Sequence, residues 1–131
     1  MDIEVTSQVM DALLAEAGGA HPHECCGILA GGDGLIDAVK PARNVHPAPA
    51  THFEIDPQAL VDAHRRARAG GPSIAGYYHS HPTGSAKPSA TDRAMAPGDG
   101  RIWAIIADGD VQFWRDDPDG FVRVTARVIP A

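Results

Sequence analysis

The chain reads as an α/β domain built on a mixed sheet, and three observations lead there. Strand-like apolar runs recur along all 131 residues, from Asp2 to Val128. Two segments with three- and four-residue apolar spacing, around 9–17 and 60–67, break into that series, so strands alternate with helices. No repeat, linker or change of composition divides the chain, and its length suits one domain, 1–131.

The first element is a short strand over residues 2–5. Thr6 or Ser7 caps a helix whose inner stripe is Val9, Met10, Leu13, Leu14 and Ala17; Gly18-Gly19 is expected to end it. His21-Pro22-His23 follows in a loop, where the interposed proline argues against paired metal ligands. Glu24 to Ala30 reads as a strand with Glu24, Cys26 and Ile28 on one face. Gly31-Gly32-Asp33-Gly34 is a hairpin turn and Leu35 to Lys40 the returning strand. Pro41 to Thr51 holds three prolines and no periodicity, so it is a loop. His46 and His52 are expected there as solvated residues, although they could line a cleft.

His52 to Ile55 reads as a short strand. Asp56-Pro57 starts a second helix, with proline at its first position, running through Leu60, Val61, His64 and Ala67 to Gly70-Gly71. The basic run Arg65, Arg66, Arg68 on this helix suits a solvated face. Ser73 to Tyr78 is a strand, and a short helix follows Pro88-Ser89. The near-continuous apolar run 101–107 fits a strand buried on both faces. Val111 to Trp114 and Phe121 to Val128 complete the set.

Composition narrows the class. The apolar fraction of 44% fits a folded globular protein, and a net charge of −6 argues against a nucleic-acid surface. No apolar run approaches the roughly 20 residues of a membrane helix. The acidic start Met1-Asp2-Ile3-Glu4 lacks signal-peptide character, so a cytoplasmic location is expected. The cysteines, Cys25 and Cys26, are adjacent. They cannot easily bridge each other and read as buried apolar residues, with a redox role left open.

The chemistry concentrates in 76–96, around His79-Ser80-His81-Pro82 and, six residues on, Ser89-Ala90-Thr91-Asp92. On a strand, side chains two apart share a face, so the imidazoles of His79 and His81 point the same way. Pro82 ends the ladder, having no N–H. Ser89 suits the N-cap of the short helix and Asp92 its first turn. Alone, each half is ordinary: a strand His-x-His is commonly a surface or core feature, and Ser-x-x-Asp resembles a capping box. Together they supply two imidazoles and one carboxylate, a three-ligand set that leaves a zinc ion one open position.

This pattern resembles the signature of the JAMM, or MPN-plus, zinc metalloproteases. Glu24-Cys25-Cys26-Gly27-Ile28-Leu29-Ala30-Gly31 fits the family's upstream glutamate, and Arg43-Asn44 with Phe53-Glu54-Ile55-Asp56-Pro57 resembles the lead into its second helix. The similarity covers roughly residues 1–115. It implies a curved sheet flanked by helices, similar to the cytidine-deaminase architecture, and one zinc ion per chain held by His79, His81 and Asp92. It also implies Glu24 as general base and acid beside that ion, with Ser89 as an oxyanion donor.

The characteristic substrates of such enzymes are amide bonds after the tail of a ubiquitin-like protein, commonly ending in Gly-Gly and bound extended. The compact chain most resembles small prokaryotic stand-alone members that act on ubiquitin-like sulfur carriers. A hydrolase of small amides or short peptides and a non-catalytic scaffold of the same fold are the other readings. Oligomeric state, and whether 41–51 or 83–87 forms a lid, are not readable from composition. The zincin helix with two histidines four apart is absent, as is a Gly-x-Ser-x-Gly elbow.

Overall fold

The computed structural model describes residues 2–131. β1 (Asp2–Thr6) leads directly into α1 (Ser7–Ala20), which the Thr6 hydroxyl caps by accepting the Val9 N–H at 3.2 Å. β2 (Cys26–Gly32) and β3 (Leu35–Ala42) form a hairpin around Asp33-Gly34. Both turn residues take positive φ, 53° and 78°, the conformation that favours Asp-Gly in tight hairpins. α2 (Pro57–Arg68) is capped by Asp56 and has proline at its start; β4 (Ser73–Ser80), α3 (Ala90–Met95), β5 (Ile102–Ala107), β6 (Asp110–Asp117) and β7 (Gly120–Ile129) follow.

The strands are ordered β1-β3-β2-β4-β5-β6-β7 and the sheet closes, because β1 pairs in parallel with both β3 and β7. β4 and β5 are also parallel, while the β2–β4 pair is antiparallel, so the sheet is mixed as expected. Register shifts at Ala30/Gly31 and Leu29/Ala30 bend β2, which helps the sheet curl. Gly76 is required where β4 meets β5: a Cβ there would collide with the Ile102 carbonyl.

Alternation along the strands gives the sheet two buried faces. One packs on α1: Val5, Val9, Leu13, Leu29, Ile36, Tyr78, Ala104, Ile106 and Phe113 form a continuous apolar cluster. Residues of opposite parity, Tyr77 and His79 on β4 beside Trp103 and Ile105 on β5, belong to the other face. Ile105 and Ala107 there pack with Ala86 from the segment after β4. β5 is buried along its whole length, matching its unbroken apolar run. Among the described residues, no helix is long and apolar enough to cross a membrane.

Several boundaries differ from the sequence reading. α1 continues through Gly18-Gly19 to Ala20; the exposed glycines meet no steric obstacle and the helix stops only before Pro22, which cannot donate to it. β2 starts at Cys26, so Glu24 and Cys25 precede the strand, and the turn narrows to two residues. β3 runs on to Ala42, into the expected loop. The expected strand His52–Ile55 is reduced to one bridge, Asn44 to Ile55. β6 and β7 extend beyond their apolar centres, since ladder pairing reaches into their polar ends.

Candidate metal centre and catalytic cleft

β4 delivers the two histidines. His79 lies within the strand and is 1% exposed; His81 stands just past its end, still tied to β5 by its N–H to the Ile106 carbonyl at 2.8 Å. Their Nε2 atoms lie 3.1 Å apart. α3 brings the carboxylate. Asp92 Oδ1 is 3.0 Å from His79 Nε2, and Oδ2 is 3.1 Å from His81 Nε2. One atom from each of the three residues thus falls within 4.8 Å of the others.

That arrangement fits a small tetrahedral cation. With metal–ligand bonds of about 2.0–2.1 Å, neighbouring ligand atoms sit about 3.3–3.4 Å apart, close to the spacing seen. Borderline imidazole and hard carboxylate donors suit zinc. The histidine contacts fall on different carboxylate oxygens, so the side chain straddles the pair. His81 Nδ1 is 2.7 Å from the Ser85 carbonyl. A carbonyl only accepts, so Nδ1 carries a proton and Nε2 is the nitrogen turned to the cluster, where it donates to Asp92 or, deprotonated, offers its lone pair to a metal ion.

The Ser89-Asp92 half is a complete capping box. The Ser89 Oγ accepts the Asp92 N–H at 3.0 Å, and Asp92 Oδ2 accepts the Ser89 N–H at 2.9 Å. The sequence left cap and ligand as competing readings of this motif. Here one carboxylate occupies both positions. As an acceptor toward the helix, the Ser89 hydroxyl keeps its own proton for donation elsewhere.

A cleft of about 470 Å³ opens over the cluster. Ala50, Thr51, His52 and Phe53 line one side, and Thr83, Gly84, Ser85 and Lys87 another; Glu24, Ser89, His81 and Asp92 share its interior. All five residues singled out from the sequence are therefore gathered at one place, His79 immediately beneath the cleft and bonded to Asp92. Both segments considered as lids contribute to its walls. His52 lines the cleft, the alternative raised for it, while His46 does not and stacks on it at 4.6 Å; both remain half-exposed loop residues. His21 and His23 are exposed and lie outside the cluster.

The family model for prokaryotic homologs of the JAB domain matches residues 6–117. The chain belongs to this family. Among its relatives, the desampylase of Haloferax volcanii is 33% identical over 130 residues, covering 95% of this chain and 85% of that protein. A probable TtuB-protein conjugate cleaving protease of Thermus thermophilus is 42% identical over 80 residues, 61% of this chain and 51% of that one. The chain thus spans about half of the Thermus protein. A solution structure of a Desulfitobacterium hafniense protein superposes with a TM-score of 0.87 at 30% identity, covering 98% of this chain and 94% of that one.

Electrostatics in this JAB domain separate the two acidic residues of the cleft. Burial pushes the Glu24 carboxyl up to about 7; His81 pulls it down and the Asp92 charge pushes it further up. Burial would raise Asp92 too, but its bonds to His79, His81 and the Ser89 N–H hold it well below the usual carboxylate range. Burial lowers His79. For His81 burial acts in the same direction, yet bonding to Asp92 and Ser85 carries it upward. A carboxyl near 7 beside one that stays ionised is the separation expected of an acid-base group and a charge-bearing ligand.

The residues that hold these groups in place escaped the sequence reading. Phe53 stacks on His79 with ring centroids 4.2 Å apart, and Trp103 meets the same imidazole edge-on at 5.7 Å. Ser80, between the histidines, accepts the Cys25 N–H at 2.8 Å on its hydroxyl and donates its own N–H to the Cys25 carbonyl at 3.1 Å. Trp114 donates to the Ala86 carbonyl at 3.1 Å, pinning the wall 83–88 to β6. Arg43-Asn44 and Phe53 entered the sequence reading only through the family resemblance, without an assigned role.

Proposed function

We propose that this JAB domain is a zinc-dependent peptidase that hydrolyses the amide bond after the C-terminal tail of a ubiquitin-like or sulfur-carrier protein. In this reading the chain acts as a single catalytic domain in the cytoplasm, with one zinc ion per chain held by His79, His81 and Asp92. Glu24 serves as general base and acid, and Ser89 as the oxyanion donor. One observation carries it: three donor atoms converge beneath a cleft that also contains a carboxyl near pKa 7 and a hydroxyl with a free proton. The activities named for the Haloferax and Thermus relatives supply the substrate class.

When bound, zinc supplies Lewis acidity and lowers the pKa of a water molecule to about 7. Glu24 takes the proton from the attacking water on its carboxylate and returns it to the departing nitrogen, a cycle suited to a group that titrates near neutrality. Ser89 donates its O–H to the substrate oxygen as that oxygen gains charge, while its lone pair stays on the Asp92 N–H. Phe53 and Trp103 shield His79 from water and fix its ring. Ala50, Gly84 and Ser85 present little side-chain bulk along the cleft, which suits an extended tail ending in Gly-Gly.

Intact-mass measurement tests this directly. A ubiquitin-like sulfur carrier from the same genome, made with one residue after its terminal Gly-Gly, is incubated with wild type and with Glu24→Ala. The expected result is loss of that residue with wild type only, at equal metal content in the two proteins. An intact carrier with zinc-loaded wild type moves the substrate to a small amide or short peptide. An intact carrier with a wild type that retains no zinc after dialysis points to a non-catalytic scaffold.

A further inference from the structure

We propose that Asn44 is the positioning residue that sets Glu24 over the cluster, an inference that rests on the reading of Glu24 as the base. The argument begins where the sheet stops. β2 and β3 pair as far as Cys26 and Ala42, and continuing that antiparallel register by two residues sets Asn44 opposite Glu24. Glu24 precedes β2 and lies outside the ladder. The side chain of Asn44 takes over where the backbone ladder ends.

Its amide is used on both sides. The Nδ2 group donates to the Glu24 carbonyl at 3.1 Å and to the His52 carbonyl at 2.9 Å, with the Pro49 carbonyl at the outer limit, 3.5 Å. The Oδ1 atom accepts the N–H of His46 at 3.1 Å and of Glu54 at 3.0 Å. Two donated protons and two accepted bonds fill the capacity of a carboxamide. The Glu24 N–H adds a 2.7 Å bond to the Pro49 carbonyl of the same loop. One side chain therefore joins the backbone of Glu24 to the segment 46–54, whose Phe53 lies on the His79 ring.

Few residue types can do this. Serine and threonine have one hydroxyl proton, aspartate has acceptors only, and glutamine carries its amide one methylene farther from the chain. Asn44→Asp is thus a selective probe. It can keep both bonds from His46 and Glu54, which shape the loop, while setting a carboxylate oxygen against the carbonyls of Glu24 and His52.

Asn44→Asp and Asn44→Ala are compared with wild type in three measurements: metal content, amide hydrogen exchange, and kcat with KM on the carrier substrate. The expected outcome for Asn44→Asp is unchanged metal content and exchange at the Glu24 amide faster by at least about tenfold, with barrel amides unaffected. With it, kcat falls by about 10–100-fold while KM stays within about twofold, as expected when a catalytic group is displaced. Unchanged exchange at Glu24, or a rise in KM with kcat preserved, overturns the proposal. So does an Asn44→Asp loss of activity that follows loss of metal or global unfolding. Failure of wild type on the carrier instead rejects the proposed substrate, and the exchange data still decide the role of Asn44.

Discussion

His81 donates its Nδ1 proton to the Ser85 carbonyl across 2.7 Å, and that bond decides which edge of the ring faces Asp92. The acceptor belongs to the main chain of the cleft wall, so the ring is oriented by the path of residues 83–88. We expect ¹⁵N shifts of zinc-loaded protein at pH 8 to show His81 protonated at Nδ1 alone. The opposite tautomer, with Nε2 protonated, contradicts the donor assignment.

Glu24 should weaken the metal-free fold as pH rises. Its folded pKa of about 7 exceeds the ordinary 4.5, so the native state holds a proton that the unfolded chain has released. The stabilising contribution is complete below about 4.5 and is lost as pH rises through about 7. Glu24→Gln removes the titration. In chelator-treated protein it should raise stability at pH 8 by roughly 1–2 kcal/mol, allowing for solvent screening, and change little at pH 4. Urea titrations at the two pH values read the difference; a Gln variant less stable at pH 8 contradicts it.

Ser89 does two separable jobs, as cap acceptor and as proposed donor to the oxyanion. Ser89→Ala and Ser89→Gly both remove the donor, so each should lose about 10²–10³ in kcat. Glycine is the better N-cap, so only the alanine variant should pay the full stability cost of about 1 kcal/mol. Equal kcat losses with unequal thermal midpoints are expected. A kcat loss that tracks the midpoint instead assigns the serine to folding alone.

Phe53 should tune metal affinity from a loop that contributes no ligand. Its ring lies on His79 at an interplanar angle of 17°, restricting an imidazole that must keep one orientation. Phe53→Leu keeps much of the apolar volume and removes the flat surface. Zinc affinity, measured by competition with a chromogenic chelator, should fall by about tenfold, within the range for residues that support a ligand. An unchanged affinity would mean that burial alone fixes the His79 ring.

Local spacing made part of the site legible. The shared face of His79 and His81 follows from a two-residue repeat, and the Ser89 cap from its three-residue offset to Asp92. Those relations span one strand and one helical turn, where periodicity is a sufficient guide. The nearness of Glu24 came from family resemblance, because it depends on strands pairing across a long sequence gap. The Ser80–Cys25 bond spans 55 positions and the Asn44–Glu24 bond 20, and neither leaves a periodic trace. Sheet closure was invisible for the same reason: β1 pairs with β7 from the far end of the chain. The missing strand at 52–55 shows the converse, an alternating segment with only one bridge to pair it.

The double use of Asp92 has a consequence for how the molecule would behave without its ion. α3 has only six residues, far below the length at which an isolated helix persists in water. Its capping carboxylate also holds the two buried-edge imidazoles together. Ion capture and helix formation are therefore thermodynamically linked: whatever binds the folded arrangement draws the 89–95 segment into order, and withdrawal relaxes it. Protease nicking near Met95, which is 60% exposed at the cleft rim, would then report metal occupancy without any substrate.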